Sequence, residues 1–285
     1  MITAHYENQL MSSLLLTIDH HLLKKGAAFE NSSSTFFDVS DQYNNFYTFS
    51  SPYQPITADK SISNATIMTG IFLNSSLLFT GTSGFYDINF SRNQLYFNQP
   101  VTGTITGQFA LKDYHIELTN EPEETLLFET KYNLRSKVSK SLSGIAPDEI
   151  TYPIIYLRNN GGSNIPFQFG GTDLTQTNVR VIVITDSQFS LDATLGYLKD
   201  LYNTPIPLIP ANEFPFNAFG GLRSGVYNYD QLTSGHLANN NYAWVDRSFA
   251  APYNQTVKVD VQTLNPDVFA GFVELNISKP RDYRS

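Results

Sequence analysis

The side chains best suited to catalysis or metal binding are the five histidines and the 26 acidic residues. His20 and His21 are adjacent in a segment with helical spacing, and adjacent residues diverge by about 100° around a helix, so they cannot bind one metal ion together. His115 alternates with Glu117 on one face of a predicted strand, which is typical of a structural or surface pair. We therefore expect packed or surface histidines, with no metal site.

Sequence motifs for catalysis are also missing. The chain has no cysteine, which excludes disulfides, thiolate metal sites and a cysteine nucleophile. It contains no nucleophile elbow, His-Glu-x-x-His motif, calcium loop or phosphate loop. The glycine-rich segments 159–164 and 167–171 lack the Gly-Lys-Ser/Thr ending and the dinucleotide spacing, so they predict a turn and a loop. We predict no catalytic residue and no cofactor, although two acidic residues far apart in the sequence could still form a glycosidase pair.

One strand followed by a helix could build the edge of an active site. The near-continuous β-branched run from Asn178 to Thr185 predicts a buried strand. Asp186 and Ser187 break this strand, and a helix is predicted over 190–202 with Ser190 as its N-cap. No other segment supplies catalytic partners for this edge.

Three segments have the composition of contact surfaces. A helix is predicted over 3–25, with an apolar stripe that would dock against the body or a neighbouring subunit. The aromatic segment 31–59 predicts an extended arm or loop with one short strand, which either wraps a partner or packs on its own domain. Four prolines in 205–221 predict a protruding loop. The candidate interface residues are Leu10, Leu14, Ile18, Phe36, Phe37, Phe214, Phe216 and Phe219.

Strand patterns dominate the rest of the chain. Short strands over 66–119 predict an antiparallel sandwich or barrel. A helix is predicted over 121–132, a strand over 152–157 and two final strands over 255–263 and 270–277. The predicted fold is therefore α+β and β-rich, with sandwich- or barrel-like antiparallel sheets, an N-terminal helix and the strand–helix unit near 178–202. The predicted regions are an N-terminal helix (1–30), a β-rich region with the aromatic arm (31–120), a helix with a basic linker (121–149) and a mixed α/β region (150–285).

Charge restricts the possible partners. The net charge of −8 argues against a sequence-independent nucleic-acid binder, and the charged fraction of 15% suits a subunit of an assembly better than a free monomer. Neither a signal peptide nor a membrane-spanning run is evident. One basic cluster could contact DNA phosphates or an acidic partner, or simply be solvated: Lys131, Arg135, Lys137 and Lys140.

Four segments, in this order along the chain, resemble virion structural proteins of tailed bacteriophages, of the neck, head–tail connector or tail-terminator type. They are Thr3-Ala-His-Tyr-Glu-Asn-Gln-Leu-Met-Ser-Ser, Thr151-Tyr-Pro-Ile-Ile-Tyr-Leu-Arg-Asn-Asn-Gly-Gly, Phe167-Gln-Phe-Gly-Gly-Thr-Asp-Leu-Thr and Gly271-Phe-Val-Glu-Leu-Asn-Ile-Ser-Lys-Pro-Arg. The resemblance implies a non-enzymatic subunit of a homo-oligomeric ring in the virion, between adjoining head-side and tail-side proteins. The genome would pass through it without sequence-specific binding. Alternatives are a capsid-decoration, baseplate or fibre protein, or a carbohydrate-binding module or glycan-active enzyme.

Overall fold

The computed structural model describes residues 6–43, 46–52, 55–128, 152–166, 172–264 and 268–281. It confirms the α+β, β-rich fold class, with an N-terminal helix and curved, largely antiparallel sheets. The described helices are α1 (Tyr6–Gly26), α2 (Glu123–Phe128), α3 (Gln188–Lys199), α4 (Tyr229–Ala238) and α5 (Gln255–Leu264). None of them is both long enough and apolar enough to cross a membrane.

Thirteen strands form two sheets within the described residues. The first sheet has the order β4-β3-β7-β1-β2-β6-β5, and the second has the order β11-β12-β13-β10-β9-β8. In chain order the strands are β1 (Phe29–Tyr43), β2 (Phe46–Ser50), β3 (Gly70–Leu73), β4 (Ser76–Phe79), β5 (Phe85–Asn89), β6 (Gln94–Phe97), β7 (Ile105–Lys112), β8 (His115–Leu118), β9 (Ile154–Pro166), β10 (Asp173–Thr185), β11 (Pro205–Pro207), β12 (Tyr242–Pro252) and β13 (Phe269–Arg281).

Helix α1 is buried against both sheets. Leu10, Leu14 and Ile18 are fully buried in a core that α1 shares with α3 and the second sheet. Leu16, on another side of the helix, packs into the aromatic core of the first sheet. Of the two alternatives predicted for this stripe, docking against the body is confirmed. Leu10, Leu14 and Ile18 are therefore not contacts to a neighbouring subunit, because the chain's own core covers them.

The segment predicted as an aromatic arm is part of the first sheet. Residues 29–36 of β1 pair with β7, and residues 37–43 pair with β2 on the other side. Phe36 lies at this change of partner and is buried in the aromatic core, whereas the neighbouring Phe37 points outward and is 57% exposed. An arm free to wrap a partner is therefore excluded for the described part of 31–59. The short strands predicted over 66–119 are confirmed.

Strand β10 is central to the second sheet, where it pairs with β9 and β13. Val181 and Val183 face α1 and α3, while Ile182 and Ile184 face a smaller core beneath α2 and α5. Both faces of the strand are covered, which explains its near-continuous β-branched run. The prediction of a buried strand here is confirmed.

Three local predictions are corrected. Residues 255–263 form helix α5 rather than a strand, because Val257 and Val261 are four residues apart and share the helix face that packs on the small core. Segment 159–164 continues β9 in place of a turn. Helix α3 begins one turn early, since the Ser187 side chain accepts a hydrogen bond from the Ser190 N–H (3.2 Å) and Ser187 is the N-cap.

Candidate functional site

The predicted protruding loop is packed against the first sheet. Phe214 and Phe216 are partly buried against its core, and Phe219 lies among Phe46, Tyr86 and Tyr96, with ring centroids 5.9–6.2 Å away. The loop covers the β5 edge of the sheet rather than extending into solvent. The candidate interface residues of this loop are thus at most partly available to a partner.

The loop is fixed by close backbone approach. The Asn217 side-chain amide donates to Asp87 Oδ2 (2.7 Å), and the Phe90 N–H donates to the Gly220 carbonyl (3.2 Å). A Cβ at Gly221 would lie 2.1 Å from Asp87 Oδ1, so any other residue there would have to displace the Asp87 carboxylate. The predicted basic cluster (Lys131, Arg135, Lys137 and Lys140) lies outside the described residues.

Three elements meet at a buried histidine. His20 on α1 places Nδ1 2.8 Å from Asp59 Oδ2, and its ring stacks on Tyr229 of α4 with centroids 4.2 Å apart. Asp59 is 1% exposed. Its Oδ1 accepts from the Ser61 N–H (2.9 Å), the Ser61 hydroxyl (2.7 Å) and the Tyr229 N–H (3.0 Å). Burial acts to raise the pKa of Asp59, but the hydrogen bonds from His20, Tyr229 and Ser61 outweigh it and hold that pKa below its ordinary value.

This cluster contains a serine, a histidine and an aspartate without the geometry of a catalytic triad. Ser61 Oγ lies 3.4 Å from His20 Nδ1, the same nitrogen that Asp59 occupies, whereas a triad needs the nucleophile on the other ring nitrogen. His20 Nε2 faces Asp230 Oδ1 at 3.4 Å. We therefore interpret the cluster as a structural clamp that joins α1, the 59–61 segment and α4.

A second buried ion pair ties α1 to the end of the first sheet. The Lys112 ammonium lies 2.5 Å from Asp19 Oδ1, and the Tyr114 hydroxyl donates to the same oxygen at 2.7 Å. Burial, and then the charge of Asp19, raises the pKa of Tyr114 well above its ordinary value. Sequence reasoning missed both clusters because they join segments that are far apart in the sequence: His20 is 39 positions from Asp59, Asp19 is 95 from Tyr114, and Asp59 is 170 from Tyr229.

The strand–helix edge holds an apolar pocket of about 390 Å³ between the end of α1 and the start of α3. Phe189 stands at its rim with 86% of its surface exposed, and Asp186 lies beside it. The hydroxyls of Ser187 and Thr194 are used inside α3, as N-cap and as donor to the Ser190 carbonyl. The pocket is mainly apolar, and Asp113 and Asp186 are also among the residues that line it. Its apolar lining includes Leu22, Ala28, Pro153, Ile155, Ala193 and Tyr197.

A second apolar surface lies on the β3–β4 hairpin. Asn74 and Ser75 form its two-residue turn with φ of 48° and 70°, as a type I′ turn requires. Leu77 and Phe79 project from β4 and are 50% and 51% exposed. Leu77 is opposite Phe72 of β3, so the three apolar side chains lie together on the outer face of the hairpin. The sequence showed the strands but not their exposure.

The described residues contain no cluster of three or more His, Asp or Glu side chains that could hold a metal ion. His115 Nε2 pairs with Glu117 at 3.4 Å on the edge strand β8.

Comparison of the chain with protein-family models, with curated proteins and with solved structures finds no match.

Proposed function

We propose that this chain is a non-enzymatic structural subunit that assembles with copies of itself. Following the resemblance to neck, connector and tail-terminator proteins, we further propose that the assembly is a ring in a tailed-phage virion. Such a ring would surround the DNA channel between head-side and tail-side proteins. It would neither recognise a DNA sequence nor associate with a membrane.

The exposed hairpin face formed by Phe72, Leu77 and Phe79 is the observation on which this proposal depends. Burying one leucine or phenylalanine side chain contributes about 1.5–3 kcal/mol. Leu77 and Phe79 are half-exposed on a two-stranded support, so about half of this free energy is still available to each of them through association. An uncharged hairpin surface also agrees with the low charged fraction of the whole sequence.

The use of the titratable residues supports a structural role. The polar atoms of Asp59, His20 and Asp19 form hydrogen bonds and ion pairs within the fold. These titratable groups therefore hold elements of the fold together, which supports the proposed structural role.

Native mass measurement followed by negative-stain imaging tests the proposal. We expect closed rings with a central hole wide enough to pass duplex DNA. A compact oligomer without a pore would contradict the ring and favour a decoration, baseplate or fibre protein. A chain that stays monomeric up to the highest soluble concentration would contradict self-assembly.

One observation favours a glycan-binding function as the second candidate. Trp244 on β12 is 36% exposed, and Tyr242 meets it edge-to-face with centroids 5.3 Å apart. Exposed aromatic rings on a strand can stack against sugar rings. Glycan-array binding that is lost in Trp244→Ala but kept in Phe249→Ala, an exposed aromatic on the same strand, would favour this function over the ring.

A further inference from the structure

We propose that the side chains of Lys279 and Asn241 join in an intramolecular isopeptide bond, with His236 as the acid that releases ammonia. The bond links β13 to the turn between α4 and β12. It braces the second sheet covalently in a chain that has no cysteine and therefore no disulfide. This inference goes beyond the proposed ring and is independent of it, because both partners belong to the same chain.

The nucleophile and the carbon that it attacks are neighbours in the fold. The Lys279 ammonium donates to Asn241 Oδ1 at 2.9 Å. Because a C=O bond is about 1.23 Å long, Asn241 Cγ lies at most about 4.1 Å from Lys279 Nζ. A small rotation at the end of the lysine side chain therefore brings Nζ to the separation of about 3–3.5 Å from which reacting atoms combine.

The surroundings of Lys279 favour the neutral amine that a nucleophile needs. Burial, and then the charge of Arg281, lowers the pKa of Lys279 below its ordinary value. Among the described residues no carboxylate forms an ion pair with Lys279, and the amide of Asn241 is its hydrogen-bond acceptor. A lysine that is desolvated without an acidic partner is activated as a nucleophile.

Asn241 is held with its amide oxygen towards the lysine. Its Nδ2 donates to the Leu208 carbonyl (2.9 Å), which can only accept, so Oδ1 is the atom that faces Lys279. The Asn241 backbone N–H donates to the His236 carbonyl (2.8 Å), and the Asn241 carbonyl accepts from the Leu208 N–H (2.9 Å). These contacts fix the position of the carbon that is attacked.

His236 contacts the nitrogen that has to leave. Its Nδ1 lies 3.3 Å from Asn241 Nδ2, and its Nε2 lies 2.9 Å from Glu213 Oε2. Because an amide nitrogen can only donate, Nδ1 accepts and the ring proton is on Nε2, towards Glu213. The Glu213 carboxylate stabilises the imidazolium when Nδ1 gains a proton. His236 is thus placed to act as a general acid, with Glu213 as its positioning residue.

The atoms and electrons of the reaction balance without an oxidant or a reductant. The lone pair of the neutral Lys279 amine forms a bond to Asn241 Cγ, and the electrons of the C=O double bond move onto Oδ1. One proton leaves Nζ for the solvent, and His236, protonated at Nδ1, gives one proton to Nδ2. The Cγ–Nδ2 bond then breaks and the C=O bond re-forms. The products are one Lys279–Asn241 amide and one molecule of ammonia.

Intact-mass spectrometry of the full chain, purified in its folded state and then denatured, tests the proposal. We expect a mass that is lower than the mass of the sequence by one ammonia molecule. Tandem spectra of a protease digest should contain the peptide with Lys279 joined to the peptide with Asn241. Lys279→Arg keeps the charge and a hydrogen-bond donor, and it should lose the cross-link. Lys24→Arg, at a half-exposed lysine that pairs with Asp230, is the matched control and should keep it.

Two outcomes overturn the proposal. One is a folded wild-type chain that still has the mass of its sequence after incubation at neutral pH. The other is an ammonia loss that persists in Lys279→Arg, because ring closure at an Asn–Gly pair such as Asn160–Gly161 also releases ammonia. The joined peptides in the wild type decide the proposal even where a variant fails to fold.

The rate of bond formation tests the assigned roles of His236 and Glu213. The cross-linked fraction is followed by intact mass from the moment of purification. His236→Gln should form the bond about 10²-fold more slowly than wild type, and an unchanged rate would overturn its role as the acid. Glu213→Gln should also slow the reaction, and Glu213→Asp should restore part of the rate. Equal rates in these two Glu213 variants would overturn the positioning role.

Discussion

Replacing Asp59 tests whether the His20 cluster is a structural clamp. In Asp59→Ala the N–H groups of Ser61 and Tyr229 lose their acceptor, and each buried donor left unsatisfied costs about 1–3 kcal/mol. His20 loses its partner as well. We expect a loss of about 3–5 kcal/mol in the free energy of unfolding, as for other broken buried pairs. Urea unfolding followed by tyrosine and tryptophan fluorescence measures it.

Asp59→Asn makes the test specific to hydrogen bonding. The Oδ1 atom that accepts from Ser61 and Tyr229 can remain an oxygen, and the new amide can donate to His20 Nδ1 from the position of Oδ2. The histidine proton then moves to Nε2, which faces Asp230. We expect a loss of at most about 1.5 kcal/mol. Equal losses in the asparagine and alanine variants would refute this account of the cluster.

Two further measurements control the interpretation. Asp230→Ala removes a side chain that is 52% exposed and should lower the free energy of unfolding by less than about 1 kcal/mol.

The pKa of Asp59 is lower in the folded state than its ordinary 3.8, so the folded state binds fewer protons. Its stabilisation is therefore present above pH 3.8 and lost as the pH falls through the folded pKa. Asp59→Asn should lack this acid-dependent loss.

The remaining predictions concern a histidine, an ion-pair network and the core helix. Burial, and then Lys25, lowers the pKa of His21 below 6.5; the stabilisation by the neutral ring is present above pH 6.5 and falls as the pH drops towards the lowered value. Thermal unfolding across pH 5–7 should show this loss in the wild type and not in His21→Gln. Arg180 bridges Glu123 and Glu274. Replacing it in Arg180→Met should lower the free energy of unfolding by about 1–3 kcal/mol, and a urea midpoint unchanged from wild type would contradict this. Leu14→Ala should cost about 2–5 kcal/mol by calorimetry, since the side chain is fully buried.

The spacing of apolar residues and the secondary-structure propensities of the residues predicted the elements that depend on local sequence. The β-branched run of β10 and the stripe of α1 are each covered by neighbours in the way their spacing indicates. Turn residues located most of the short strands before residue 119. These features depend on residues within a few positions of one another, which a single sequence displays directly.

Contacts between segments that lie far apart in the sequence could not be predicted from this local pattern. The alternation of Val257, Val259 and Val261 is equally compatible with a strand and with one face of a helix, and only the small core beneath α5 decides between them. Whether α1 faces its own chain or a neighbour depends on strands more than 90 residues away. The Asp59 clamp likewise requires three distant segments to meet.

The position of α1 between both cores also affects the order of folding. The helix precedes the strands of both sheets in the chain, and its core partners continue to β13, which lies inside the second sheet between β12 and β10. During synthesis, part of the apolar surface of α1 therefore stays uncovered until β13 leaves the ribosome, and β13 begins 243 residues after the last residue of α1 (269 − 26). Such high contact order slows folding and prolongs the exposure of apolar surface. We infer that the two sheets fold as one cooperative unit, which is complete only when β13 has been added to the second sheet.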